Sequence, residues 1–346
     1  MSENRSRSFL QFAILGCGRH AQQKFLHIDR YIKNIRLSAV FDRDEKTLEL
    51  LKRERRNVLT TTSLDMVLDQ RTPDFVIIAS TPETHFELAA ICIEKNVHVL
   101  LEKPMTATLE QARRLKSLVE RQGVLLMVGH HRRFGGPENK IKSLIESGRL
   151  GEIISIQVTH NYNDESRRPM SGYLQAGNDS LSGVLFEYMS HELDLLRHFF
   201  PGIIIEKVQC LRRSIRHKDD TAALQLQLSN GVIASYLLSS ATTDLEVYRV
   251  FGTAGQVTFN RYRDPTPRCY SVEAFRNRPL RFLLQFKDGL ENFLQLKYLW
   301  KKQILQAYIA ELSYFTDCIR EEKQPLCSVD EGLFVLEALE MIDRKL

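Results

Sequence analysis

Glu187 and His191 stand four residues apart in a stretch, Val184 to Phe199, whose apolar spacing predicts one helix. Asp194 and His198 continue the same face. A carboxylate beside an imidazole on a rigid helix suits acid–base work. The imidazole takes a hydroxyl proton, and the carboxylate orients the ring and stabilises its cation. The same spacing also suits a plain solvated helix face. A different chemistry opens the chain. Gly16-Cys17-Gly18-Arg19-His20-Ala21 fits GxGxxG/A directly after the apolar run Phe12–Leu15 and at the start of a helical pattern. The first glycine permits a tight turn, and the second lets backbone approach a pyrophosphate. Asp42 ends the second apolar run, 24 residues beyond Gly18. Its carboxylate would accept from a ribose 2′-OH and repel a 2′-phosphate, which favours NAD. Arg43 could stack on adenine or pair with a 2′-phosphate, which leaves NADP open.

These residues need elements to position them. Apolar runs at Phe12–Leu15, Leu37–Phe41, Phe75–Ala79, Val97–Leu101 and Val124–Val128 alternate with helical patterns such as Glu83–Lys95 and Leu109–Arg121. Strands alternating with helices imply βαβ units, and near-continuous apolar strands imply a parallel sheet covered on both faces. Beyond about residue 130 the pattern changes. Ile153–Tyr162, Thr221–Leu228 and Val232–Leu238 alternate with period two, with Ser229-Asn230-Gly231 as a hairpin turn. Val247–Phe251 and Gln256–Phe259 add short strands, and helices are expected over 290–321 and 329–344 with a break near Pro325. The fold class read from this is α/β: a Rossmann domain over 9–131, then an α+β domain over 132–346 with a large, open, mainly antiparallel sheet.

Composition narrows the classes. The chain has 346 residues, 43% hydrophobic and 26% charged, which excludes a disordered or fibrous protein. A net charge of +5, with basic and acidic residues interspersed, allows an anionic substrate but shows no nucleic-acid-reading module. No apolar run is long enough for a membrane span. The six cysteines form no CxxC and no zinc spacing, so no metal is expected, and a reducing, cytoplasmic setting is.

Three further segments each follow an apolar strand: Ser80-Thr81-Pro82-Glu83-Thr84-His85, Glu102-Lys103-Pro104, and Gly129-His130-His131-Arg132-Arg133-Phe134. With Gly148-Arg149-Leu150-Gly151, His191-Glu192-Leu193-Asp194 and Phe251-Gly252-Thr253-Ala254-Gly255, their order resembles the Gfo/Idh/MocA oxidoreductases over nearly the whole chain. The resemblance implies hydride transfer between a nicotinamide and a carbinol or ketone carbon of a sugar, nucleotide sugar or cyclitol. It implies that Lys103 touches both nicotinamide ribose and substrate, and that Ser80, Thr81, Pro82, His85, Glu102 and His131 line the cofactor with Gly16, Gly18, Arg19, His20, Asp42 and Arg43. His191 takes the catalytic histidine position. Glu187 stands where many members carry an aspartate. Arg133, Arg168 and Asp194 are substrate-binding candidates. A homodimer or homotetramer, paired through the open sheet, is expected. Two other readings remain: transient redox on bound NAD during glycoside cleavage, and a non-catalytic nicotinamide sensor.

Overall fold

The computed structural model describes residues 9–163, 183–216, 219–262, 264–272 and 300–344. The chain forms two compact units. The first contains the residues up to His131 together with Tyr308–Leu336, and the second contains Arg132–Ala307 with Glu337–Leu346.

The first unit is built on six parallel strands: β1 (Leu10–Leu15), β2 (Ile35–Phe41), β3 (Leu59–Thr61), β4 (Phe75–Ile78), β5 (His98–Glu102) and β6 (Leu126–Gly129). Their spatial order is β3-β2-β1-β4-β5-β6, so the chain reverses direction across the sheet between β1 and β4. Helices α1 (Arg19–Lys24), α2 (Glu45–Glu54), α3 (Leu64–Arg71), α4 (Pro82–Glu94) and α5 (Leu109–Gln122) form the connections. Local chemistry sets their ends. Asp44 caps α2 by accepting from the Lys46 and Thr47 N–H groups, Thr108 caps α5 through the Gln111 N–H, and Gly123 ends α5 in the left-handed region. Phe12, Ala13, Ile14, Leu15 and Phe75–Ile78 have no exposed surface. That is the covered-on-both-faces pattern their unbroken apolar runs demand. α2, α3 and β3 are additions to the sequence reading. β3 and α3 are short and weakly patterned, whereas α2 buries Leu48 and Leu51 on one face of a mostly charged helix.

The second domain expected over 132–346 is not one continuous segment. Helix α8 (Trp300–Glu321) returns residues from Tyr308 onward to the first unit, and α9 (Val329–Arg344) is divided between the units. Burial explains this. Phe315 meets Phe75 edge-on at 5.8 Å, Val329, Leu333 and Leu336 join the core cluster containing Met105 and Val128, and the Val128 N–H donates to the Cys327 carbonyl at 2.8 Å. The expected helix start near 290 lies outside the described residues.

The second unit carries α6 (Gly136–Glu146), α7 (Ser190–Phe199) and a seven-stranded sheet. Its strands are β7 (Ile153–Asn163), β8 (Ile205–Arg213), β9 (Thr221–Leu228), β10 (Ile233–Ser239), β11 (Ala241–Gly252), β12 (Gly255–Asn260) and β13 (Asp264–Ser271), ordered β13-β12-β11-β7-β10-β9-β8. All pairs are antiparallel except β7 with β10. The hairpin turn at 229–231 joins β9 to β10, with Gly231 at φ +84°. Gly148–Gly151 and Phe251–Gly255 meet: the Ala254 N–H donates to the Leu150 carbonyl at 2.9 Å, and a Cβ at Gly252 would collide with Leu150 backbone.

Candidate active site

In the first unit the proposed cofactor residues gather at the carboxyl ends of the strands. Gly16 turns at φ +83°, and a Cβ there would lie 2.5 Å from the Ser80 Cα. Only glycine lets the β1 turn press against the β4 turn at the reversal point of the sheet. Gly18 is exposed, and a Cβ built there meets nothing within 4 Å, which leaves open space where backbone would meet a phosphate. The half-buried Asp42 carboxylate accepts from the Cys17 N–H at 2.6 Å and from the Asp44 N–H at 2.9 Å. It thereby ties the end of β2 to the glycine loop. Arg19 and Arg43 are exposed. Burial, then the Asp42 and Glu54 charges, push the Cys17 thiol up to about 12, so it stays neutral.

Thr81 is the N-cap position of α4 and Pro82 its first residue. The Ser80 hydroxyl accepts from the Thr84 hydroxyl at 2.7 Å. His85 has no exposed surface. Its Nδ1 lies 2.8 Å from the Pro104 carbonyl and its Nε2 3.3 Å from the Ser80 carbonyl. Burial pulls its pKa down against the pull of those carbonyls, so it stays neutral. The expectation that His85 lines the cofactor is therefore corrected. Its side chain sits beneath the site and braces the turn that follows Lys103.

Lys103 is half-buried after β5, and its N–H donates to the Glu102 carboxylate at 3.2 Å. Glu102 is 7% exposed; its other oxygen meets His20 Nε2 at 3.2 Å. Burial pushes the Glu102 carboxyl up, but His20 and Lys103 outweigh it and hold the group below the usual carboxylate range. Tyr308, from α8, stacks on His131 with ring centroids 4.2 Å apart and meets His20 edge-on at 5.8 Å. The Lys24 ammonium lies 5.4 Å from the Tyr308 ring centroid. Burial pulls the Lys24 pKa down, and Glu102 opposes this. Nothing in the periodicity of α8 marks Tyr308, since its partners lie far away in sequence. The glycine loop with open space at Gly18, the acid at the end of β2 and the buried carboxylate beside Lys103 fit a dinucleotide.

In the second unit the helix expected over Val184–Phe199 is not uniform: Leu185–Met189 form a π turn that runs into α7. Glu187 and His191 are half-buried, while Asp194 and His198 are buried. The four residues therefore do not form one open face. Arg133 Nε and Nη2 reach the same Asp194 oxygen at 2.8 and 2.7 Å, and both side chains are buried. Arg133 and Asp194, both candidates for substrate binding, are thus brought together as a buried ion pair. Burial, then Arg133 and Lys142, push His198 down to about 4. Arg168 lies outside the described residues.

A charged cluster that the sequence reading missed lies behind α7. Arg132 Nη1 donates to Glu192 at 3.1 Å, to Glu246 at 2.9 Å and to the Tyr248 hydroxyl at 2.8 Å. Arg261 Nε donates to Glu246 at 2.7 Å and its Nη2 pairs with Glu138. Burial pushes the Glu246 carboxyl up, but Arg132 and Arg261 hold it far below the usual range. His160, Glu192 and Glu246 offer ligand atoms within 4.8 Å of one another, a spacing a metal could use. Guanidinium and phenol donors already occupy both carboxylates, so the cluster reads as an ion-pair network. The only sequence signals for it are the adjacent Arg132-Arg133 and Glu192 beside His191. Among the described residues no helix is long and apolar enough to cross a membrane.

Comparison with known proteins agrees with this geometry. The GFO/IDH/MocA model described as "Oxidoreductase family, NAD-binding Rossmann fold" matches residues 10–130, and the GFO/IDH/MocA C-terminal domain matches 139–258. A 1-carboxy-3-chloro-3,4-dihydroxycyclohexa-1,5-diene dehydrogenase of Comamonas testosteroni is 29% identical over 60% of this chain. An NADP(+) scyllo-inositol 2-dehydrogenase of Bacillus subtilis is 30% identical over 54% of it. The matches span 52% and 53% of those two relatives, about half their length. The crystal structure of myo-inositol 2-dehydrogenase from Lactobacillus plantarum shares the fold, with TM-score 0.77 and 20% identity over 97% of this chain and 96% of that one. With both family domains matched in order, and with the glycine loop, the Lys103 turn and the α7 helix in place, the chain belongs to the GFO/IDH/MocA oxidoreductase family.

Proposed function

We propose that the chain is an NAD(P)-dependent dehydrogenase or reductase acting on a CH–OH group of a sugar or cyclitol derivative. One observation carries the reading. A glycine loop tied to an acid, and a half-buried lysine beside a buried carboxylate, meet at the carboxyl edge of a single parallel sheet. Two relatives named as dehydrogenases of hydroxylated six-membered rings support the substrate class. When bound, the nicotinamide supplies the hydride acceptor or donor. Gly16, Gly18 and Asp42 would hold the dinucleotide, and Asp42 favours NAD. Glu102 keeps its charge at neutral pH and, through the Lys103 N–H and His20, fixes the backbone that presents the lysine. Lys103 and His191 are the two candidate proton carriers, with Glu187, four residues before His191, to stabilise the imidazole's cation.

A panel of cyclitols, sugars, sugar phosphates and nucleotide sugars, scored by NADH and NADPH absorbance, tests the reading. Turnover of a hydroxylated ring supports it; no nicotinamide reduction or oxidation with any member overturns it.

The same proposal includes a cytoplasmic homo-oligomer. On one face of the second sheet, Leu211, Ala223, Leu237, Thr159 and Val247 pair in register as a row across five strands. Leu211 is 75% and Leu237 46% exposed. A part-apolar open face of this kind suits pairing with a second copy. Light scattering at micromolar concentration should give a multiple of the chain mass; a monomer would count against it.

A further inference from the structure

His160 is a fully buried histidine on β7, and the chemistry proposed above makes no use of it. Its imidazole touches the candidate acid–base helix at two points. Nδ1 lies 2.7 Å from Glu192 Oε1, and Glu192 directly follows His191. A carboxylate accepts, so Nδ1 carries the proton and donates. The ring also stacks on Tyr188, with centroids 4.8 Å apart and planes 19° from parallel, and Tyr188 directly follows Glu187. One side chain therefore grips the residue after each member of the candidate pair. It does so across the junction where the π turn Leu185–Met189 becomes α7. A π turn is rare, occurs mostly as a single-turn bulge within an α-helix, and is frequent at functional sites. The other contacts of Glu192, from Arg132 and from the Tyr248 hydroxyl at 2.7 Å, anchor the far side of that grip.

We propose that His160 is a positioning residue, and that its bond to Glu192 and its stack on Tyr188 set the placement of Glu187 relative to His191. The proposal rests on the dehydrogenase reading for its kinetic test. Its structural test does not.

Two variants separate the two contacts. His160→Asn keeps a donor toward Glu192 and loses the stack; His160→Phe keeps the stack and loses the donor. Hydrogen exchange over 184–199 reads the junction without any substrate. Both variants should lose protection at the 185–192 peptides while NAD affinity stays within about twofold. With a substrate that the wild type turns over, kcat should fall by ~10–100-fold with KM little changed, as expected when a reacting pair is misplaced. His160→Asn should retain more activity than His160→Ala. If His160→Phe fails to fold, Tyr188→Leu removes the stack from the other side and should give the same exchange pattern. Wild-type protection and wild-type kcat in these variants would overturn the proposal. A wild type that turns over nothing in the panel would count against the dehydrogenase reading, and the exchange result would still decide this one.

Discussion

The imidazole of His20 meets the carboxylate of Glu102 at 3.2 Å, joining the start of the helix after the glycine loop to the residue before Lys103. Two loops separated by 82 residues are thereby held as one surface. Glu102→Ala removes that tie and the acceptor of the Lys103 N–H. Hydrogen bonds to charged groups contribute about 1.5–3 kcal/mol. NAD affinity, measured by titration calorimetry, should therefore weaken by roughly tenfold or more. Unchanged affinity would show that the pair does not shape the cofactor site.

Asp42 ties down the glycine loop and is proposed to select the cofactor, and its replacement should show both. Asp42→Ser removes the acceptor of the Cys17 N–H and the charge that repels a 2′-phosphate. NAD should bind more weakly, and the ratio of NADP to NAD affinity should rise. Tighter NADP binding by the wild type would show that the exposed Arg43 sets the choice.

Proton transfer should separate the two carriers. His191→Ala should leave NAD binding nearly intact, because the residues proposed to hold the cofactor belong to the first unit, while turnover falls by ~10²–10⁴-fold. Lys103→Ala should impair both cofactor affinity and turnover. Glu187→Gln should fall between wild type and His191→Ala. Wild-type turnover in His191→Ala, with none in Lys103→Ala, would leave the lysine as sole carrier.

The network behind α7 should be costly to break on one side. Arg132→Leu leaves Glu192 and Glu246 buried with fewer donors, and losing one partner of a buried ion pair costs about 3–5 kcal/mol. Urea melts followed by circular dichroism should show a loss of that order. Arg132→Lys keeps the charge but not the planar fork and should lose less.

Stability should fall in acid in two stages. His198 drops from 6.5 unfolded to about 4 folded, so the unfolded state binds its proton first. That contribution is complete above pH 6.5 and is lost as pH falls toward 4. His85 and His98, whose pKa values burial also lowers, act in the same direction below 6.5. Glu246, held below its ordinary 4.5, contributes above 4.5 and is lost only at lower pH. Denaturant midpoints from pH 7 to pH 4 should decline in the wild type and decline less in His198→Asn. Equal slopes would mean that His198 is solvated.

Period and punctuation in the chain determined much of this protein. The unbroken apolar strands and the GxGxxG/A turn announced the parallel sheet and its glycine loop, because covered strands and left-handed turns restrict which residue types fit. The alternation in 153–162, 221–228 and 232–238 announced the second sheet, because one of its faces is covered. Tertiary structure alone decided which polar groups would be consumed by one another. Arg133 and Asp194 look like ligands in sequence, yet they close on each other across 61 residues. His160, Glu192 and Glu246 carry no shared spacing, yet they lie within one buried cluster. Tyr308 joins the glycine-loop helix from 288 positions beyond His20. Local pattern records the face a residue turns toward the core, and only the folded chain brings together charges that must pair once water is removed.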